Sequence, residues 1–341
     1  MTGTLPNSDA TFLSRELSSE TDLVLLHELN PEKYPFLLES TASGTPQGQF
    51  DILFACPGET LRLDAGNNLS RAGTALKNPQ FLDALDDWWR LEATASSDSA
   101  LPFCGGWFVF LGYELAQQIE PVLDLSEDPG MPIALATRIP AAVLRDRQSK
   151  RSWIITEVEH ADLFNGIADD IDKLKNPTQA TGNPLKSELR PDPGELFVEY
   201  ALRAKEYIAA GDVFQTNLSR EWHGELRTDV SAARLYRRLR ETNPAPFSGL
   251  AEWGDFAVIS SSPERLLSVR DGCIETRPIA GTRPRDDSPQ MNTRLIGELL
   301  ASPKERAEHV MLIDLERNDL GRLCIGGTVE VDEFMVIESY S

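Results

Sequence analysis

Glu275-Thr276-Arg277-Pro278-Ile279-Ala280-Gly281-Thr282-Arg283-Pro284-Arg285 is the stretch on which the reading of this chain turns. Three arginines flank a tight Pro-Ile-Ala-Gly-Thr element in a chain whose net charge is -21. Gly281 lets the backbone take a conformation closed to other residues and approach a ligand closely. Its amide and the Thr282 hydroxyl are then placed to donate to a carboxylate, as successive backbone N–H groups do for anions. A Gly-containing β-turn with solvated arginines satisfies the same spacing, and the residues alone leave the two readings open.

Outward from this segment, composition narrows the function. With 341 residues, 41% hydrophobic and 26% charged, the chain can bury a large core. The acidic balance opposes nucleic acid, which needs concentrated Lys and Arg. It also repels anionic substrates, so a site for one requires local arginine or a metal ion. Cys56, Cys104, Cys273 and Cys324 lie far apart without C-x-x-C spacing, which suits a reducing compartment rather than a disulfide framework or zinc site. The N-terminus lacks a basic start and an apolar run, and no stretch approaches the roughly 20 apolar residues of a membrane helix. The expectation is a cytoplasmic protein that engages neither membrane nor nucleic acid.

Residues 1–20 are polar and read as a mobile segment. From 21 to 175, short apolar runs alternate with turn signals: Tyr34–Leu38, Phe50–Ala55, Trp107–Tyr113, Ile133–Leu144 and Trp153–Thr156 read as strands, and Asn78–Leu91 as a helix. Residues 176–194, rich in Pro, Gly and Asn, read as a linker. Within 195–341 the pattern predicts a helix from Glu195 to Ala210 stopped by Gly211, and a strand from Val213 to Trp222. On that strand Phe214, Thr216 and Leu218 alternate with Gln215, Asn217 and Ser219, so one face packs and the other is polar. A helix over Ala232–Glu241 and strands near Ser248–Ala251, Ala257–Ser260, Leu266–Val269 and Cys273–Arg277 follow.

Ser302-Pro303-Lys304-Glu305 is a capping box with proline at the first helical position, and it fixes a helix start. Glu305 and Glu308 then share one face. Two carboxylates held together suit a magnesium half-site of hard oxygen ligands, or a solvated acidic first turn that complements the helix dipole. Glu264, after an apolar strand at a proline-marked turn, reads as an ion-pair partner of Arg265 or as a functional acid.

Several motifs in order resemble the chorismate-utilising enzymes, the large subunits of anthranilate synthase and aminodeoxychorismate synthase, with isochorismate and salicylate synthases as cousins. They are Ser261-Ser262-Pro263-Glu264-Arg265-Leu266-Leu267, the 275–285 segment, and Lys304 to Arg322. The likeness is dense from Phe197 to Ser341 and weaker but continuous before it. It implies an α+β fold of two intertwined subdomains, with large antiparallel sheets packed together, helices outside and the site in the cleft between sheets.

The resemblance also implies roles. Glu308 corresponds to a glutamate that binds Mg2+ directly, and Glu305 to one that supports it through water. Glu264 matches the general acid for loss of the ring hydroxyl, a task that calls for a partly desolvated carboxyl. Gly281 and Thr282 match the grip on a substrate carboxylate. Gln215 stands where isochorismate and salicylate synthases carry a lysine base, so ammonia is favoured over water as nucleophile. Ala280, as in anthranilate synthases, stands where many aminodeoxychorismate synthases carry a lysine that attacks the ring. Gln49 to Ala55, Pro102 to Trp107 and Gly112-Tyr113-Glu114 look more like the aminodeoxychorismate type. Leu37-Leu38-Glu39-Ser40 resembles the tryptophan-binding segment of these subunits, or equally a strand end entering a loop.

Members of the family continue beyond the point matching Ser341, with a histidine pair, a Gly-rich carboxylate loop and a second magnesium glutamate. The expectation is therefore a C-terminally truncated subunit. No Gly-x-Cys-x-Gly glutaminase turn occurs, so ammonia comes from a glutamine amidotransferase partner or from solution. The favoured reading is amination of chorismate to 4-amino-4-deoxychorismate. Anthranilate formation is the rival, and an inactive ligand- or partner-binding fragment is the reading from another class.

Overall fold

The computed structural model describes residues 11–17, 21–42, 48–93, 100–125, 130–174 and 182–339. In chain order, β1 (Phe12–Glu16) and α1 (Leu23–Leu29) precede β2 (Phe36–Glu39), β3 (Phe50–Ala55), β4 (Thr60–Leu63), β5 (Leu69–Arg71) and β6 (Thr74–Ala75). Next come α2 (Phe81–Glu92), β7 (Gly106–Leu111), α3 (Ala116–Ile119), β8 (Ala134–Ile139), β9 (Ala141–Asp146), β10 (Arg151–Glu157) and α4 (Leu163–Asp172). After β11 (Arg190–Pro191), α5 (Gly194–Ala210), β12 (Trp222–His223) and α6 (Ala232–Thr242), the chain runs through β13 (Phe247–Trp253), β14 (Phe256–Ser262), β15 (Ser268–Arg270) and β16 (Cys273–Glu275). It then enters α7 (Pro289–Ala301) and α8 (Pro303–Gly321).

The fold is α+β with two large antiparallel sheets. One has seven strands in the order β1-β10-β9-β3-β2-β13-β14, the other five in the order β6-β5-β4-β8-β7. Their strands interleave along the chain. Between the sheets Phe36 and Phe108 stack with centroids 3.9 Å apart, and Phe54 packs edge-on to both Phe103 and Phe108. The far face of the five-stranded sheet buries Leu61, Leu63 and Leu69 against Phe81 and Trp88 of α2. Helices α1 and α4 pack on the seven-stranded sheet at β2 and β10 and on each other.

Three sequence expectations change. The run Ile133–Leu144 is two strands, split at Pro140 and assigned to different sheets, because proline lacks the N–H that would carry one ladder through. Residues 12–16, expected within a mobile 1–20 segment, form an edge strand that pairs along β10, with Glu16 bound to Arg151 at 2.6 Å. The rest of that segment, 1–10 and 18–20, lies outside the described residues. Of the expected Val213–Trp222 strand only the end pairs: Trp222 lies in β12 against β11, Glu221 accepts the Asp192 amide, and residues 213–219 are irregular and exposed. A strand exists only where a neighbour takes its N–H and C=O groups, and alternation of side chains does not supply one.

By contacts the chain divides into residues 1–175 with 236–341, and residues 176–235. The linker expected over 176–194 falls in the second unit. Its first part, to residue 181, lies outside the described residues, and Arg190–Pro191 forms β11. Helix α5 ends where the sequence put its stop, at Gly211 in the left-handed conformation (φ 83°).

Candidate functional site

In the first unit, Ser302 ends α7 and starts α8: its hydroxyl accepts the Glu305 amide at 3.4 Å, with Pro303 opening the helix. The reciprocal half of the capping box is not made. The Glu305 carboxylate turns away from the helix end to Arg283, 3.2 Å distant. There it lies against Gly281, where a Cβ would overlap Glu305 Oε2 and come within 2.6 Å of Cδ. Gly281 does not adopt the left-handed conformation. The conformational argument for this glycine is thus replaced by one of space: the carboxylate occupies the place of a side chain. On the other side of the loop, Glu264 Oε1 accepts the Ile279 amide at 2.9 Å.

Glu264, the Ile279–Arg283 loop and Glu305 therefore meet at one place, although 41 positions separate the two glutamates in sequence. Ala280 and Gly281 are half-buried and Thr282 is exposed. Among the described residues, the Gly281 and Thr282 amides donate to no protein acceptor. Glu308 lies one turn beyond Glu305, half-buried, and no described residue engages its carboxylate. Its neighbour His309 contacts the Phe334 ring edge-on.

Other expectations are met less closely. Glu264 is exposed rather than partly desolvated, and Arg265 pairs with Glu275 instead of with it. Two of the three arginines are taken by acids. Arg283 holds Glu305, and Arg277 binds Glu338 at 2.6 Å and Glu333. Burial alone would lower the Arg277 guanidinium, but those two carboxylates hold it above its ordinary value. Gln215 stands on the exposed irregular segment of the second unit.

Glu39 and Ser40 sit in a different environment. Strand register places Asp51 directly opposite Arg145, and Glu39 lies on the same side of the sheet. The Glu39 and Asp51 side chains are 0% exposed. Arg145 Nε donates to Asp51 at 2.7 Å, and Arg147 Nε donates to it at 2.8 Å. Glu39 accepts from Tyr236 Oη at 2.9 Å and is paired with Arg240 at 3.1 Å and Arg145 at 3.2 Å. Arg240 also grips Asp22, the N-cap of α1, at 2.7 Å. Burial and the adjacent Asp51 raise the Glu39 carboxyl above its ordinary value. Burial would also raise Asp22, but Arg240 overrides it and holds that carboxyl low. The sequence reading named Glu39 and missed its partners. The signal was there in charged residues set inside apolar strands, such as Asp51 between Phe50 and Ile52, since charges are buried only when paired. The Ser40 amide donates to Asp51, while its buried hydroxyl has no described partner.

Residues 34–341 match the model of the chorismate binding enzymes. The chain belongs to the chorismate-binding enzyme family. It is 36% identical over 322 residues to aminodeoxychorismate synthase component 1 of Bacillus subtilis, covering 91% of this chain and 67% of that protein. It is 40% identical over 246 residues to an anthranilate synthase component I-like protein of Synechocystis, covering 71% of this chain and 50% of the relative. Among solved structures, anthranilate synthase component I from Streptococcus pneumoniae matches with a TM-score of 0.72 and 27% identity, covering 88% of this chain and 67% of that one. The chain thus spans between half and two thirds of the length of these relatives.

On α8 one carboxylate is of the type a magnesium ion takes and a second is already held by an arginine. Glu308 offers an unengaged carboxylate of the hard-oxygen kind, and Glu305 stands on the same helix face, steadied by Arg283. Glu39, in contrast, is already saturated by its own arginines and tyrosine. No helix among the described residues is long and apolar enough to cross a membrane.

Proposed function

We propose that the chain forms the chorismate-handling part of an aminodeoxychorismate synthase, a cytoplasmic enzyme of para-aminobenzoate and folate synthesis. The reaction aminates chorismate to 4-amino-4-deoxychorismate, with ammonia delivered by a glutamine amidotransferase partner. The observation that carries this reading is the meeting of Glu264, the 279–283 loop and Glu305. An acid, free backbone donors and a metal-type carboxylate pair are what loss of a ring hydroxyl from a dicarboxylate requires.

In this reading the Gly281 and Thr282 amides, with the Thr282 hydroxyl, hold one substrate carboxylate. Glu308 and Glu305 hold Mg2+, which when bound supplies positive charge to a second carboxylate in a chain that is otherwise strongly acidic. Glu264 gives its proton to the departing ring hydroxyl, which leaves as water. The carbon–oxygen bond breaks, a carbon–nitrogen bond forms to ammonia, and the nitrogen releases a proton. Gln215 carries no basic amine to activate water. Ala280 carries no amine to form a covalent adduct, so ammonia attacks the ring itself.

Anthranilate synthesis is the second reading, favoured by Ala280 and set against the Gln49–Ala55 and Pro102–Glu114 motifs. Product analysis by mass spectrometry decides it. A chain extended to the length of its relatives, given chorismate, ammonium and Mg2+, is expected to release 4-amino-4-deoxychorismate with little anthranilate. Dominant anthranilate and pyruvate would overturn the assignment. Calorimetric titration of chorismate and Mg2+ into the present chain tests the third reading, a ligand- or partner-binding fragment without turnover.

A further inference from the structure

A second group of ligating side chains lies wholly in the 176–235 unit. Strands β11 and β12 pair Arg190 with His223 and Pro191 with Trp222. The ladder runs one step further, because the Asp192 amide donates to the Glu221 carbonyl at 3.0 Å. Side chains alternate across a strand, so Glu221 and His223 point to one face and Trp222 to the other. Asp192, opposite Glu221, joins them.

His223 Nε2 lies 3.1 Å from Asp192 Oδ1 and 3.5 Å from Glu221 Oε2, and one ligand atom from each residue falls within 4.8 Å of the others. Atoms bound about 2.0–2.2 Å from a single ion stand about 3 to 3.5 Å apart, and the two acids already stand at that distance from His223 Nε2, which hydrogen-bonds Asp192 directly. Asp192 is held independently of the other two side chains. Its carbonyl accepts from Arg220 Nε and Nη2 at 3.0 and 2.6 Å, and its Oδ2 accepts the Glu221 amide at 3.3 Å.

We propose that this ribbon face binds one divalent transition-metal ion of the zinc type, through His223 Nε2 and the carboxylates of Asp192 and Glu221, with water completing the shell. Imidazole with carboxylates suits zinc-like ions, whereas magnesium prefers oxygen alone and keeps its waters. The site is therefore chemically distinct from the carboxylate pair on α8. The ion takes the lone pair of Nε2, leaving the ring proton on Nδ1. It joins two chain positions that bracket α5 and the segment bearing Gln215, and so closes that stretch into a loop.

The test is equilibrium dialysis of Zn2+ against the whole chain. One Zn2+ is expected to bind saturably, to resist displacement by excess Mg2+, and to bind at least about tenfold more weakly in His223→Ala and in Glu221→Gln. Both side chains are mostly exposed, at 64% and 73%, and circular dichroism checks that the variants fold. Glu308→Gln should bind Zn2+ as the parent chain does. No saturable Zn2+, parent-like affinity in either ribbon variant, or loss in Glu308→Gln instead would overturn the proposal.

Discussion

The buried charges around Glu39 and the half-exposed charges around Glu305 use the same residue types in opposite ways. Around Glu39 the carboxylates are closed off from water, and the network of arginines and Tyr236 answers each of them. Around Glu305 the groups are partly wet, and some are left unanswered, among them Glu308 and the Gly281 and Thr282 amides. Desolvated charge is so costly that it persists only when paired, and pairing leaves little capacity for a ligand. The first region is spent on the fold, whereas the second keeps polar groups open, as the proposed site requires. Variants should therefore separate the two, one set moving stability and the other activity.

The largest effect is expected in the buried network. Arg145→Ala strips Asp51 and Glu39 of a shared partner while both remain buried, and breaking such a pair costs about 3–5 kcal/mol. Urea unfolding should show a midpoint far below that of the parent chain. A change within about 0.5 kcal/mol, the ordinary size for a surface position, would remove the contrast between the regions.

Next comes Glu308→Gln, which should leave the unfolding midpoint unchanged, because no protein group loses a partner. In a chain extended to the length of its relatives, turnover of chorismate at fixed Mg2+ should fall at least about a hundredfold, since the neutral isostere loses its attraction for the cation. A parent-like rate would remove Glu308 from the metal site. A large loss of stability would place it with the buried network instead.

The same contrast sets what could be read from the sequence. Local signals were legible: the α8 start at Ser302-Pro303, the α5 stop at Gly211, and apolar runs such as Phe50–Ala55 that become sheet strands. Signals that depend on a distant partner were not. Nothing within Val213–Trp222 tells that only its last two residues find a neighbouring strand, and nothing within 12–16 tells that β10 offers an open edge. Gly281 stands out in the sequence for its backbone freedom, whereas the structure needs it for space, because the Glu305 carboxylate that lies against it sits 24 positions further along. Arg145, Arg147 and Arg240 gained meaning only when strand register and α6 brought them to Glu39 and Asp51.

The smallest effects, and the sharpest test of how the buried network is balanced, lie in its pH dependence. Asp22 has a folded-state carboxyl held below its unfolded value, so its contribution is present above the ordinary Asp range and lost as pH falls through the folded value. Glu39 is shifted the other way. Its contribution is fully present below the ordinary Glu value and is lost as pH rises through the raised folded value. Relative to Asp22→Asn, the parent chain should gain stability as pH climbs out of the acid range. Relative to Glu39→Gln, it should lose stability as pH climbs from about 4.5 upward. Urea midpoints measured across pH 3 to 8, a range of about 5 units spanning both carboxyl types, should thus give difference curves of opposite slope. Parallel slopes would mean that Arg240 and Arg145 compensate Glu39 as fully as Arg240 compensates Asp22, and that crowding by Asp51 does not decide the state of the buried glutamate.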